Sequence, residues 1–164
     1  QPWTRDGRVV LLGDAAHAVV PFFGQGMNCG FEDARLLDEG LAAHGDDWSR
    51  ALPAFEAERR PNVHALSEMS LRHYQHLNHV PDALDPVRER IGEMLDRLAP
   101  HRYRPLYELV AFTSVPYATA MRLDELRQQA VANVLRDHPD FAQGVWPQDA
   151  ELRLRAWLAR ASGA

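Results

Sequence analysis

Residues 8–28 read RVVLLGDAAHAVVPFFGQGMN, from Arg8 to Asn28, and the fold follows from how this stretch is divided. Arg8-Val9-Val10-Leu11-Leu12 is a short apolar run, β-branched at its start and closed by Gly13-Asp14, which predicts a buried strand. Pro21, Gly24 and Gly26 punctuate an irregular stretch, and Met27 opens a helical pattern. A strand ending in Gly-Asp places the Asp14 carboxylate at the carboxyl edge of a sheet, where α/β folds bind ligands and where it can accept hydrogen bonds from the hydroxyls of a sugar-like chain. Glycines just before a helix let the backbone approach a ligand, and the N–H groups of Met27 and Asn28 would then face a developing negative charge. The competing reading is a tight turn in a helical interaction or structural domain, since strand, Gly-rich turn and helix is a common connection.

Outward from this stretch the chain reads as helices. Phe31, Ala34, Leu37 and Leu41 fall three, three and four apart and predict one apolar face, closed by His44-Gly45-Asp46-Asp47. A second helix is expected over Ser49 to Arg60 with Leu52 and Phe55 inward, and Pro61 interrupts or restarts it. Val63, Leu66, Ser70, His73 and Leu77 then repeat at helical spacing, a mostly apolar face with a polar residue at its centre. Pro81 and Pro86 break the next stretch. Val87 to Leu98 reads as a helix, Pro100 to Pro105 as a loop, and Leu106 to Phe112 as an apolar segment open to either assignment. Leu123 to Leu135 and Asp149 to Arg160 are helix-like, joined by a linker over His138 to Pro147. The expected class is mainly α with a short N-terminal strand.

The 164 residues include 46% hydrophobic and 25% charged, enough for a globular core, and the formal net charge is -5. No basic field gathers nucleic acid, which is excluded as a partner. All 18 basic residues are Arg. Cys29 is the only cysteine, so no disulfide forms within the chain, and a cytoplasmic setting is expected. No apolar run approaches a membrane span, including the end around Arg153, Arg155, Trp157 and Arg160. A first residue other than Met, with a strand-like segment a few residues in, leads to the expectation of a fragment of something longer.

The full string of Gly13-Asp14-Ala15-Ala16-His17 and Pro21 to Asn28 resembles the second flavin-binding motif of the FAD-dependent aromatic hydroxylases built like para-hydroxybenzoate hydroxylase. With Gly30-Phe31-Glu32-Asp33 it is most similar to the branch of that family that hydroxylates kynurenine; the similarity is strong over 8–33 and weaker to about 117. The resemblance implies a C-terminal fragment of an α/β FAD-binding hydroxylase fold. Residues 1–45 would complete the FAD-binding domain, and residues 46–164 would form a helical region contributing to the substrate pocket. FAD and NADPH are the implied cofactors, with a small aromatic substrate and molecular oxygen. Kynurenine to 3-hydroxykynurenine is the implied reaction, and another aniline or phenol the alternative. Asp14 would contact FAD through its side chain, and Met27 and Asn28 through their backbone. Gly24 and Gly26 would form the turn, with Pro21 and Gln25 beside the flavin ring. Phe22, His73 and Tyr107 would bind substrate, Phe22 against its ring and Tyr107 at its carboxylate. His73 replaces an asparagine of the family, and His76 and Leu77 replace a glutamate and a methionine, which puts the identity of the substrate in doubt. The Gly-x-Gly-x-x-Gly turn for the ADP half of FAD and the arginine expected at the substrate carboxylate are missing, so the isolated chain is expected to be inactive.

The remaining polar residues read more plainly. His73, His76 and His79 drift around a helix axis and form no metal set. Glu32, Asp33, Asp46 and Asp47 read as solvated or capping charges. His17 reads as a packing and hydrogen-bonding residue, and Cys29 as an inert small hydrophobe.

Overall fold

The computed structural model describes residues 2–143 and 146–161. It is mainly helical: a two-stranded antiparallel hairpin of β1 (Thr4–Arg5) and β2 (Val9–Val10), then α1 (Asp14–His17), a 3-10 turn (Pro21–Phe23), α2 (Gly26–Ala43), α3 (Trp48–Leu77), α4 (Asp85–Leu98), α5 (Leu106–Phe112), α6 (Tyr117–Asp137), a second 3-10 turn (Pro139–Ala142) and α7 (Ala150–Ala161). Gly144 and Val145 of the expected linker lie outside the described residues.

The predicted buried strand is corrected. Val9 and Val10 pair only with Arg5 and Thr4, and Val9 and Leu11 are exposed. The β-branched run forms a strand because Asp6 and Gly7, both at positive φ, turn the chain back on itself; Asp-Gly is the hairpin signal, and a two-stranded ribbon offers no sheet to bury it. The turn packs tightly, since a Cβ on Gly7 would lie 2.8 Å from the Ser49 backbone. The N–H and hydroxyl of Thr4 donate to the Glu56 carboxylate at 3.1 and 2.7 Å, which fastens the hairpin to α3.

The stretch expected to be irregular before Gly26 contains α1 and the first 3-10 turn. On α2 the buried residues are Cys29, Asp33 and Leu37, whereas Phe31 and Ala34 are exposed. The inward face is therefore rotated from the expected one, because a buried ion cluster, described below, sets it in place of an apolar stripe. Asp47 caps α3, accepting from the Ser49 N–H at 3.1 Å. Pro53 and Pro61 both lie inside α3, and neither ends it. Both are on the exposed face, as are Ser49 and Ala57, whose carbonyls lose their helical donors and can turn to water. Leu52, Phe55, Val63, Leu66 and Ser70 are buried as their spacing predicts, but Leu77 is exposed. The ambiguous segment is α5.

Two compact units divide the chain: Gln1–His79 with Val110–Met121, and Val80–Leu109 with Arg122–Ala164. In the first, α2 and the first 3-10 turn pack against α3, burying Phe23, Leu37, Leu52, Phe55, Val63, Leu66 and Met69. In the second, Ile91, Leu95, Val134, Phe141, Leu154 and Trp157 form the centre of the core. Arg127 forks onto Asp96 there at 2.7 and 2.8 Å, and its guanidinium occupies the space a side chain at position 92 would need, so Gly92 is the residue that fits.

Candidate functional site

Asp14 is exposed and is the first residue of α1. The residue before it, Gly13, has φ 55° and ψ -141°, a conformation that side chains rarely adopt. Downstream, Pro21 and Phe22 enter the 3-10 turn and Gly24 leaves it at φ 64°. The α2 helix then starts without any side-chain cap, while Met27 and Asn28 are exposed. The first-turn N–H groups of an uncapped helix have no internal partners, and those of Gly26, Met27 and Asn28 are available to an anion or carbonyl. No atom lies within 4 Å of where a Cβ on Gly24 would be, so the backbone there is open to an approaching group.

Gln25 turns its side chain inward. It is buried, donates to the Phe23 carbonyl at 3.3 Å and accepts from Asn28 Nδ2 at 3.1 Å. The Tyr117 hydroxyl approaches the same Gln25 oxygen at 3.5 Å, and burial pushes that hydroxyl up to about 12, so Tyr117 stays a neutral donor. Between α2 and residues 110–117 lies a cavity of about 350 Å³ bordered by Gln25, Asn28, Phe31 and Tyr117. Tyr117 was not singled out in the sequence, because nothing local ties it to a position 92 residues away.

The expected substrate residues are distributed unevenly. Phe22 stacks at a tilt on Tyr74, with centroids 4.9 Å apart, and His73 meets Phe23 at 5.1 Å. These contacts place the end of α3 against the 3-10 turn. Tyr107 is an exposed residue of α5 within the second unit.

Beneath the turn sits a cluster that the sequence reading missed. Asp33 has no exposed surface, which corrects its reading as a solvated or capping charge. Its Oδ2 accepts from the Gly13 N–H at 2.9 Å and meets His17 Nε2 at 2.5 Å, and its Oδ1 accepts from Arg59 Nε at 2.7 Å. Arg59, also buried, reaches Cys29 Sγ at 3.0 Å, the Cys29 carbonyl at 3.3 Å and Glu32 at 2.9 Å. Burial works to raise the Asp33 pKa, but the hydrogen bonds from His17, Gly13 and Arg59 outweigh it and hold the group below the usual carboxylate range. Burial likewise pushes the Cys29 thiol up to about 11 against the pull of Arg59. His17, Cys29 and Asp33 bring ligand-type atoms within 4.8 Å of one another, and the Arg59 guanidinium already bonds both the sulfur and the carboxylate. His17 is a hydrogen-bonding and packing residue as expected, its ring 5.2 Å from that of Trp3.

Comparison with known proteins bears on the same stretch. The family described as FAD binding domain matches residues 2–70, which include the turn, α2 and most of α3. Along most of its length the chain is also similar to curated kynurenine 3-monooxygenases. It is 39% identical to that of Stenotrophomonas maltophilia over 99% of this chain and 35% of the relative. It is 41% identical to that of Xanthomonas campestris pv. campestris over 88% of this chain and 32% of the relative. It is 34% identical to that of Flavobacterium johnsoniae over 88% and 32%. The chain thus spans about a third of the length of the relatives it matches. The segment matched by the FAD binding domain family offers groups of the kind such a ligand needs: an exposed carboxylate for hydroxyls at Asp14, an open backbone at Gly24 and uncapped amides at the start of α2.

Proposed function

We propose that this chain is part of an FAD-dependent, NADPH-using monooxygenase that hydroxylates an aromatic ring, with L-kynurenine to 3-hydroxykynurenine as the reaction. The carrying observation is the uncapped start of α2, where Met27 and Asn28 are exposed after the open Gly24 turn, within the segment that matches the FAD binding domain family. Bound FAD, reduced by NADPH, would supply oxygen activation. Asp14 would accept hydrogen bonds from the ribityl hydroxyls. The α2 amides, aided by the positive end of the helix, would stabilise negative charge on the pyrimidine side of the ring. Pro21 and Phe22 would line the approach of the substrate ring, and the Phe22–Tyr74 contact holds that aromatic wall in place. Residues 1–45 supply the flavin contacts in this reading, and 46–164 shape the substrate end. The roles of His73 and Tyr107 at the substrate carboxylate rest on the family resemblance. A protein with one cysteine fits a cytoplasmic setting, and no helix among the described residues is long and apolar enough to cross a membrane.

The test is to release the flavin from the intact protein, identify it, and follow NADPH oxidation with and without L-kynurenine. FAD together with kynurenine-accelerated oxidation and 3-hydroxykynurenine is the expected result; a preparation without flavin would sink the reading. A second substrate, another aniline or phenol, is favoured by His73, an imidazole where the family has an asparagine. Flavin reduction indifferent to kynurenine would move the assignment there.

A further inference from the structure

The four residues of α1 carry Asp14 at one end and His17 at the other, and a single buried carboxylate holds both ends. Asp33 Oδ2 accepts from the N–H of Gly13, immediately before Asp14, at 2.9 Å and meets His17 Nε2 at 2.5 Å. The other oxygen is held by Arg59, whose remaining bonds to the Cys29 carbonyl and Glu32 fasten it to α2. A second contact independent of these charges presses the same turn onto α2: a Cβ on Gly30 would lie 3.7 Å from Gly13 Cα, so the two backbones run in close approach. His17 has little else to orient it. Its Nδ1 is buried with no hydrogen-bond partner among the described residues, which leaves the Asp33 contact and the face of Trp3 to set the ring.

Resting on the flavin reading above, we propose that Asp33, braced by Arg59 and engaged by His17, is a positioning group that sets the orientation of Asp14 toward the hydroxyls of its ligand. None of the three side chains is open to a ligand, since all are buried. They act on binding through the backbone of Gly13 and the pitch of α1. A one-turn helix closes few bonds of its own, so its geometry is imposed by whatever grips its two ends. Asp33 fits that task because one acidic oxygen takes both donors, and the charge of Arg59 makes the burial tolerable.

A double-mutant cycle in the intact protein separates positioning from general support. The probe is FAD, titrated into apoprotein by fluorescence, with the thermal unfolding of each apoprotein recorded alongside. His17→Phe keeps an aromatic face toward Trp3 and removes the bond to Asp33. It should weaken FAD binding roughly ten-fold when Asp14 is present and less than about two-fold in an Asp14→Ala background, the non-additivity expected of coupled residues. His17→Gln, whose amide can still donate to Asp33, should bind FAD within about two-fold of the wild type. Arg59→Lys run through the same cycle gives a second reading from the other side of the carboxylate, with a loss again confined to the Asp14 background. Equal losses in both backgrounds, or wild-type affinity in His17→Phe and Arg59→Lys, would overturn the positioning role while leaving the flavin reading intact. Wild-type protein that takes up no FAD, or Asp14→Ala that binds as tightly as wild type, would overturn the flavin contact and the inference with it.

Discussion

Asp33 shows how a charge can be read from its neighbours in sequence and still be misplaced. In the pattern Phe31-Glu32-Asp33-Ala34 it looks like one of two surface acids, and the residue that buries it, Arg59, stands 26 positions later on another helix. The Gly24–Gly26 turn and the helix opening near Met27 were legible, because glycine and helix-start signals are local. Long-range pairing has no such signature. The buried pair has a definite consequence for acid stability. Asp33 is held below its unfolded value, so its contribution is complete above the usual carboxylate range near pH 4 and is lost as pH falls through the folded value. Asp33→Asn should cost about 3–5 kcal/mol near neutral pH, the penalty for stranding a buried guanidinium, and should flatten the acid limb of the stability profile. Urea unfolding at pH 7 and at pH 3 measures both; a variant that loses as much at pH 3 as at pH 7 would count against the ionised pair. Cys29 gives a second test. Fully buried and with its thiol pushed up to about 11, it should resist iodoacetamide at pH 8 in the native protein and react once guanidinium unfolds the chain.

Helix α3 is the element whose extent the sequence hid. Proline normally ends a helix, and Pro61 reads in the sequence as interrupting or restarting this one, but the rule concerns a missing N–H and a ring clash rather than the fate of the whole element. With Ala57 and Pro61 both on the exposed face, the freed carbonyl has water available, and the buried face from Leu52 to Met69, with the ion-paired Arg59 set in it, continues through the proline. Tertiary burial outweighs the local cost. Pro61→Ala should therefore stabilise the protein, by about 1–2 kcal/mol once the gain in unfolded-state freedom is set against the restored helical bond. A rise in the unfolding midpoint with unchanged FAD affinity is the expected result. A fall would mean that the ring packs usefully where α3 borders the hydrogen-bonded pair Thr4 and Glu56. The α2 face was misread for the related reason that periodicity counts apolar residues, and here a polar cluster took the inward position.

At the scale of the whole molecule, the residues proposed to contact flavin all fall in the first compact unit, Gln1–His79 with Val110–Met121, while the second has a core of its own. The sequence could not show this division, since residues 110–121 join the first unit from far along the chain and no linker composition marks the crossing. Leu95 is fully buried at the centre of the second core, beside the helix turn that carries Asp96 to Arg127. Leu95→Ala removes three buried carbons from packed surroundings and should destabilise that core by about 2–5 kcal/mol. Because no proposed flavin contact lies in that unit, FAD titration of the same variant at a temperature where it remains folded should return the wild-type affinity. A weakened affinity in a folded Leu95→Ala protein would show that the second unit contributes to flavin binding, and the division of labour proposed here would have to be redrawn around both units.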